Sequence, residues 1–154
     1  KDLGKDDFSK IPNGGPVIED RLSILYSEGV VKGRITLNQW VDLCSTRASK
    51  LFGLFPQKGT LAVGTDADIV IFDPSVNRVI SADTHHMNVD YSAFEGMQVQ
   101  GCPVTVLCRG EYVIRDRQYA GTAGAGQYVK RNKYDASAPI PMKQPVTAVN
   151  GGRS

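Results

Sequence analysis

The chain has 154 residues, of which 41% are hydrophobic and 22% charged, and its formal net charge is +2. This length fits one domain of ordinary size, and the composition is that of a globular protein. The small, evenly spread charge argues against nucleic acid or an anionic membrane as the main partner. No apolar run approaches the roughly 20 residues that span a bilayer. The first residues, KDLGKDDF, lack the apolar region of a signal peptide.

The three cysteines, Cys44, Cys102 and Cys108, are odd in number and show no CxxC spacing. They fit reduced thiols in a cytoplasmic protein better than a disulfide framework or a zinc knuckle. The chain opens on Lys1 rather than on methionine, so we expect a fragment or a processed product.

Helical periodicity dominates the first third of the chain. Residues 1–16 are expected to be irregular, since PNGGP at 12–16 interrupts regular structure. A helix is predicted over 18–28, with Gly29 as its stop. A second helix begins at Thr36, which has the capping-box spacing to Gln39. A third short helix, capped by Ser45 or Thr46, is predicted to run through Phe52 and to close at Gly53.

Strand-like sequence follows from Gln57. Strands are predicted over 60–63 and 68–73 around a GTD turn, and a further short one over 78–81. Because both faces of residues 69–72 are apolar, we expect that strand to be buried on both sides. A hairpin over 104–108 and 111–115 turns at Arg109-Gly110. Helices first and a small β-layer second make an α+β pattern.

The last part of the chain is glycine-rich (GTAGAG), then basic (YVKRNK, 128–133), and ends in a tail over 137–154. The glycine run lacks the GxxxxGK[ST] pattern and does not join a strand to a helix, so we expect a flexible or partner-contacting segment rather than a phosphate loop. The basic stretch is expected to be a solvated face or an oligomer contact. The tail is predicted to be disordered or extended over a neighbour.

Neither the histidines nor the nucleophilic residues form a recognisable catalytic pattern. His85 and His86 are adjacent, and on a strand they would point to opposite faces, so we expect structural or hydrogen-bonding roles rather than metal ligation. No serine lies in a GxSxG elbow. Cys44 falls on the apolar face of a helix and Cys108 in a strand predicted to be buried, which favours packing roles for both.

Three aspartates, Asp66, Asp68 and Asp73, lie within the β-rich stretch 59–74. Asp66 follows Gly64-Thr65 in a turn, where its side chain can bond back to the backbone. Asp68 is predicted to start a strand and Asp73 to end it, roughly 16 Å apart at about 3.3 Å per residue. That separation is too large for one metal ion, so we expect turn and strand boundaries rather than an acidic site.

Four stretches together resemble one enzyme family. KGTLAVGTDADIVIFDP (58–74) is similar to a signature near the C-terminus of the amidohydrolase superfamily, where the chain leaves a metal-bearing (β/α)8 barrel and enters a small β-sandwich. STRASKLFGLFP (45–56) resembles the preceding helix. Residues 5–30 and THHMNVDYSAFEGM (84–97) narrow the resemblance to the cyclic amidohydrolases, the dihydropyrimidinases and D-hydantoinases. It extends from Lys1 to about Lys133.

The resemblance implies metal-ion catalysis. In that family two divalent metal ions, usually zinc, are bridged by a carboxylated lysine and activate a water that attacks a ring amide of 5,6-dihydropyrimidines or 5-substituted hydantoins, giving N-carbamoyl amino acids. The HxH pair and the other ligands are absent from this sequence. Asn13, in KIPNGG, matches the asparagine whose backbone groups bind the amide edge of the substrate. No catalytic residue and no metal ligand is therefore assigned to this chain, and the resemblance implies that Asn13 is its substrate-binding residue.

The resemblance divides the chain into three parts. Residues 1–55 correspond to the last helices of the barrel, 56–120 to part of the β-sandwich, and 121–154 to a glycine-rich segment and an oligomer-contacting tail. The relatives are commonly homotetramers. The β-layer would lack the strands that the N-terminal part contributes, so we expect an exposed apolar edge, and we expect no activity from the chain alone.

Three functions remain open. The first is a piece of a dihydropyrimidinase or hydantoinase, with the preference between the two substrates undetermined. The second is a non-catalytic scaffold or binding protein similar to the collapsin response mediators, which typically depart from the KIPNG pattern that this sequence keeps. The third is a stand-alone β-rich domain that binds a partner protein.

Overall fold

The computed structural model describes residues 4–11 and 13–133. The predicted tail over 137–154 lies outside the described residues. Within them, no helix has the length and apolar character needed to cross a membrane. Helices come first and an antiparallel sheet second, in agreement with the α+β order expected from the sequence.

The first helical segment begins after a short 3₁₀ turn at Phe8–Lys10. Helix α1 spans Arg21–Leu25 and continues as a π-helical turn over Tyr26–Val31. The prediction that Gly29 stops the helix is therefore wrong. Gly29 is buried inside the π-helical turn, where a Cβ would lie 2.8 Å from Ile35 Cδ1. The glycine allows close packing rather than ending the helix.

The second helical segment confirms the predicted capping box. Helix α2 spans Leu37–Val41, and the Thr36 hydroxyl accepts from the Gln39 backbone N–H at 3.2 Å while the Gln39 side chain accepts from the Thr36 N–H at 3.0 Å. A π-helical turn over Asp42–Thr46 leads directly into α3, Arg47–Leu51.

A separately capped third helix is not formed. Thr46 has helical backbone angles and makes no capping bond, and Ser45 lies inside the π-helical turn. The Thr46 hydroxyl instead donates to the Gly59 carbonyl at 2.8 Å. The predicted end is confirmed, because Gly53 follows α3 with a φ of 70°.

In the part of the chain that the structure describes, four strands form one antiparallel sheet in the order β1-β2-β3-β4. They span Ile69–Val79, Gln98–Cys108, Glu111–Arg115 and Gln118–Tyr119. The predicted β2–β3 hairpin is confirmed. Arg109 and Gly110 both have positive φ, 52° and 83°, as the two central residues of a tight hairpin turn require.

The first strand differs from its prediction in three ways. Residues 60–63 form no strand, and β1 continues past Asp73 to Val79 with a register shift between Asp73 and Asn77. Burial on both sides is also wrong, because Val70 is 46% and Ile71 52% exposed. Val70 and Ile71 point to opposite faces of β1, so neither face is fully covered at this point. β1 is also an edge strand, and the expected exposed apolar edge is found there.

The helices pack on the sheet through three aromatic rings. The rings of Tyr26, Trp40 and Phe72 lie with centroids 4.9–5.4 Å apart. Trp40 Nε1 donates to the Leu22 carbonyl at 3.3 Å. A Cβ at Gly101, where φ is 84°, would lie 2.5 Å from the Phe72 ring on β1 and 2.8 Å from the Tyr26 ring on the helical segment. Glycine at 101 therefore allows the helices to approach β2.

Candidate functional site

The loop around Asn13 is exposed and locally bonded. Asn13 and Gly14 are exposed, and Gly14 has a φ of 88°, a conformation that favours glycine. A Cβ at Gly14 would meet no atom within 4 Å. The Val17 N–H donates to the Gly15 carbonyl at 3.0 Å, and Pro16 is buried. The backbone of this loop is therefore open to a ligand, and the substrate-binding role of Asn13 stays a prediction.

Glu19 joins this segment to the loop that follows β1. Its Oε2 accepts from the His86 backbone N–H at 2.7 Å, and its Oε1 lies 2.8 Å from His86 Nδ1. His85 Nδ1 accepts from the Met87 N–H at 3.1 Å. The predicted hydrogen-bonding role of both histidines is confirmed. The two histidines lie in a loop, so the argument from opposite faces of a strand does not apply to them.

Asp20 joins the same segment to β1. It is 1% exposed, and its Oδ1 lies 2.7 Å from Arg78 Nη2. Arg78 also lies 3.4 Å from the Ser23 hydroxyl and lines an open cavity of about 450 Å³ with Ser27 and Gln100. The guanidinium that lines this cavity is thus paired with the buried Asp20 carboxylate.

Lys58 brings two of the three aspartates together. Its Nζ lies 2.8 Å from Asp66 Oδ2 and 2.6 Å from Asp68 Oδ2. Asp68 Oδ1 accepts from the Arg109 backbone N–H at 2.9 Å. Asp66 was expected to bond back to the backbone, and its carboxylate instead binds Lys58 and the Gln57 side chain. The two carboxylates form an ion-pair cluster that contains its own cation.

The electrostatics of this cluster favour the charged forms. Burial acts to raise the pKa of Asp68, but hydrogen bonds from Lys58 and Arg109 outweigh it and hold the pKa below its ordinary value. Burial likewise acts to lower the pKa of Lys58, and hydrogen bonds to Asp66 and Asp68 outweigh it, so this pKa is raised. A proton-transfer group near neutral pH needs the opposite shifts.

Asp73 lies apart from these two and has a local role. Its Oδ1 accepts from the Ser75 N–H at 2.9 Å and from the Ser75 hydroxyl at 2.6 Å, and these bonds lower its pKa. Asp73 was expected to end the strand, and this is wrong. It lies within β1, at the start of the register shift between Asp73 and Asn77. Asp66 and Asp68, which were expected only to mark turn and strand boundaries, therefore share the Lys58 cation, and Asp73 has a separate local partner.

The residues present do not fit a metal ion. Across residues 4–11 and 13–133, no three His, Cys, Asp or Glu side chains gather where a metal could be held. His86 binds Glu19, and Asp66 and Asp68 are occupied by Lys58. All three cysteines are free thiols, as expected. No step of a reaction is therefore assigned to a metal on this chain.

The glycine-rich segment contacts neighbouring turns. Arg109 Nη2 donates to the Ala125 carbonyl at 2.7 Å, and the Asn132 N–H donates to the Gly53 carbonyl at 2.8 Å. Residues 120–133 contain no helix, so a phosphate loop of the strand-to-helix type is not formed there.

Sequence reasoning did not assign roles to Glu19, Asp20, Lys58 or Arg78. Glu19 binds a partner 67 positions away in sequence, and Asp20 and Arg78 bind each other across 58 positions. Lys58 begins the 58–74 signature. A charged residue at the edge of an apolar run can indicate such an ion pair, because charged side chains are rarely buried without a partner.

Comparisons with known proteins show which family this chain resembles. The model of the amidohydrolase family matches residues 17–113. The chain is 73% identical to the D-hydantoinase of Geobacillus stearothermophilus over 136 residues, 88% of this chain and 29% of that protein. It is 43% identical to the dihydropyrimidinase of Rattus norvegicus over 156 aligned positions, 94% of this chain and 30% of that protein.

Solved structures give the same result. The crystal structure of dihydropyrimidinase from Brevibacillus agri NCHU1002 superposes with a TM-score of 0.84 at 65% identity, over 88% of this chain and 29% of that one. The chain thus spans less than a third of the length of the relatives it matches. Because the family model covers well over half of its residues, the chain belongs to the amidohydrolase family.

Proposed function

We propose that this chain is the C-terminal part of a cyclic amidohydrolase that hydrolyses the ring amide of 5,6-dihydropyrimidines or 5-substituted hydantoins to N-carbamoyl amino acids. The observation that carries the proposal is the 73% identity to a D-hydantoinase over 88% of the chain. The matches to proteins named D-hydantoinase and to proteins named dihydropyrimidinase support both substrate classes.

Two divalent metal ions, zinc by the family resemblance, would be held by residues outside this chain. The described residues offer no group of three ligands, so the chain alone is proposed to be inactive. When bound, the metal ions would supply an activated water and polarise the ring carbonyl. The contribution of this chain is to bind and orient the substrate.

Asn13 is the residue proposed to touch the substrate. Gly14 and Gly15 leave the backbone exposed beside it, and the open space around Gly14 supports close approach of a planar ring. A backbone N–H and a backbone C=O together match the acceptor and donor of an amide edge. The loop would fix the orientation of the scissile amide.

The remaining proposals concern the rest of the assembly. Residues 1–55 would complete a (β/α)8 barrel, 56–120 a β-sandwich, and 121–154 an oligomer contact in a cytoplasmic homotetramer. Exposed apolar side chains support the proposal that other parts of the assembly pack against both regions. Phe8 is 86% and Ile18 82% exposed in the first region, and Ile71 is 52% exposed in the second.

A chimera tests the proposed function. The 136 matched residues of this chain replace the corresponding segment of the Geobacillus stearothermophilus D-hydantoinase. We expect the purified chimera to bind metal and to release an N-carbamoyl product from hydantoin, dihydrouracil or both. The unaltered D-hydantoinase is the positive control, and the chain by itself is expected to give no product.

A chimera that folds, judged by circular dichroism and size-exclusion chromatography, and yet hydrolyses neither substrate would contradict the proposal. That result would favour the non-catalytic scaffold. If instead the chain by itself is a compact monomer with strongly protected amides, it would favour the stand-alone binding domain. The complete protein that carries this segment should also contain bound metal.

A further inference from the structure

The Asn13 loop makes mainly local hydrogen bonds. The Lys10 N–H donates to the Asp7 carbonyl and the Val17 N–H to the Gly15 carbonyl, both at 3.0 Å. Among the described residues, Glu19 and Asp20 are the first after Asn13 whose side chains bind elements distant in sequence. The position of the loop relative to the sheet therefore depends on these two carboxylates.

The Glu19 carboxylate is held at both oxygens by one residue. Oε2 accepts from the His86 backbone N–H at 2.7 Å, and Oε1 lies 2.8 Å from the His86 ring nitrogen Nδ1. Two bonds to one partner define the orientation of a carboxylate better than one bond does. The side chains of Glu19 and His86 are 29% and 61% exposed, so the contact lies at the surface and can open without unfolding the core.

The partner loop is itself closed at its base. The Gly96 N–H donates to the Ile80 carbonyl at 2.9 Å, and Glu95 Oε2 accepts from the Ala82 N–H at 2.7 Å. His86 therefore projects from a loop whose two ends are tied together. Asp20, the neighbour of Glu19, binds Arg78 on β1. The two adjacent carboxylates thus attach the segment after the Asn13 loop to β1 and to the loop that follows β1.

We propose that the Glu19–His86 contact positions the Asn13 loop, and that Glu19 and His86 are positioning residues for substrate binding. This inference rests on the proposed function, in which the Asn13 backbone binds the substrate. Neither side chain touches the substrate. A misplaced loop weakens binding of the substrate and of the transition state to the same extent. KM therefore rises and kcat does not change.

Hydrogen exchange on the 154-residue chain and kinetics on the chimera test the inference together. Glu19→Ala removes both contacts. Glu28→Ala is the control, since Glu28 lies in the π-helical turn that continues α1 and its ion pairs among the described residues are with Lys32 and Arg34. We expect Glu19→Ala to speed the exchange of the Val17 and His86 amides several-fold and to raise KM about fivefold with kcat within about twofold. Glu28→Ala should change neither.

Two further variants separate positioning from general destabilisation. Glu19→Gln keeps two polar atoms facing His86 and should restore KM to within about twofold of the parent. His86→Ala keeps the backbone N–H and should give an intermediate KM. Faster exchange throughout the chain, or a lower melting temperature with an unchanged KM, would overturn the inference. An inactive parent chimera would count against the proposed function only, because the exchange of the Val17 and His86 amides still decides this one.

Discussion

The ammonium nitrogen of Lys58 lies 2.6 Å from Oδ2 of Asp68. The same nitrogen lies 2.8 Å from Asp66, and Asp68 also accepts from the backbone N–H of Arg109 in the β2–β3 turn. These contacts attach the segment after α3 to the start of β1 and to the hairpin. The Lys58 side chain is 17% exposed, so the cluster is partly shielded from water.

Replacing Lys58 should destabilise the fold. In Lys58→Met two partly buried carboxylates lose their cation, and we expect a loss of about 1–3 kcal/mol in the free energy of unfolding. Urea denaturation of the chimera followed by circular dichroism measures it. Lys32→Met is the matched control, because Lys32 pairs with Glu28 at an exposed site and should cost less than about 0.5 kcal/mol. Equal losses in the two variants would contradict the prediction.

The contribution of Asp68 should depend on pH in a defined direction. Its pKa is lowered in the folded state, so the stabilisation is complete above the ordinary value of 3.8 and is lost as the pH falls through the lower folded value. We expect Asp68→Asn to be less stable than the parent at neutral pH. The difference should shrink below pH 3.8. If the difference in unfolding free energy between Asp68→Asn and the parent stays constant from about pH 7 to about pH 3 in urea titrations, the prediction is wrong.

Gly101 should not accept a side chain. In Gly101→Ala the new Cβ meets the Phe72 ring at 2.5 Å and the backbone keeps a φ of 84°. Overpacking and backbone strain together should cost about 3 kcal/mol. Gly96→Ala is the control, since Gly96 has a φ of 79° and nothing within 4 Å, and it should cost only about 1 kcal/mol. Thermal unfolding of both variants gives the comparison.

The capping box at Thr36 should stabilise the second helical segment. Thr36→Ala removes the acceptor for the Gln39 N–H and should lower the free energy of unfolding by about 1 kcal/mol. Thr36→Ser keeps the hydroxyl and should stay within about 0.5 kcal/mol of the parent. A serine variant as unstable as the alanine variant would show that the methyl group, rather than the cap, is responsible.

If the Asn13 backbone binds the substrate, the side chain should be dispensable. We expect Asn13→Ala in the chimera to keep kcat/KM within about threefold of the parent. Gly14→Ala strains the loop backbone and should raise KM about tenfold. Gly124→Ala is its control, with a φ of 80° and nothing within 4 Å, and should leave KM unchanged. A large loss in Asn13→Ala would assign binding to the side chain.

The accurate predictions from sequence concern local structure. The Thr36–Gln39 capping box, the Arg109-Gly110 turn and the helix end at Gly53 were all predicted and are confirmed. Each depends on residues within about four positions of one another, so backbone geometry and side-chain chemistry determine them without the rest of the fold. The family resemblance likewise follows from contiguous stretches, and the family match confirms it.

Only the tertiary structure determined which charged side chains pair with each other and which faces of the strands are exposed. Glu19 binds His86 across 67 positions and Asp20 binds Arg78 across 58, separations over which sequence spacing carries no geometric information. Gly29 was predicted to stop a helix but lies inside one, because packing against Ile35 outweighs its low helix propensity. Ile71 was predicted to be buried but is half exposed, because the pattern of a strand does not say whether another layer packs on each of its faces.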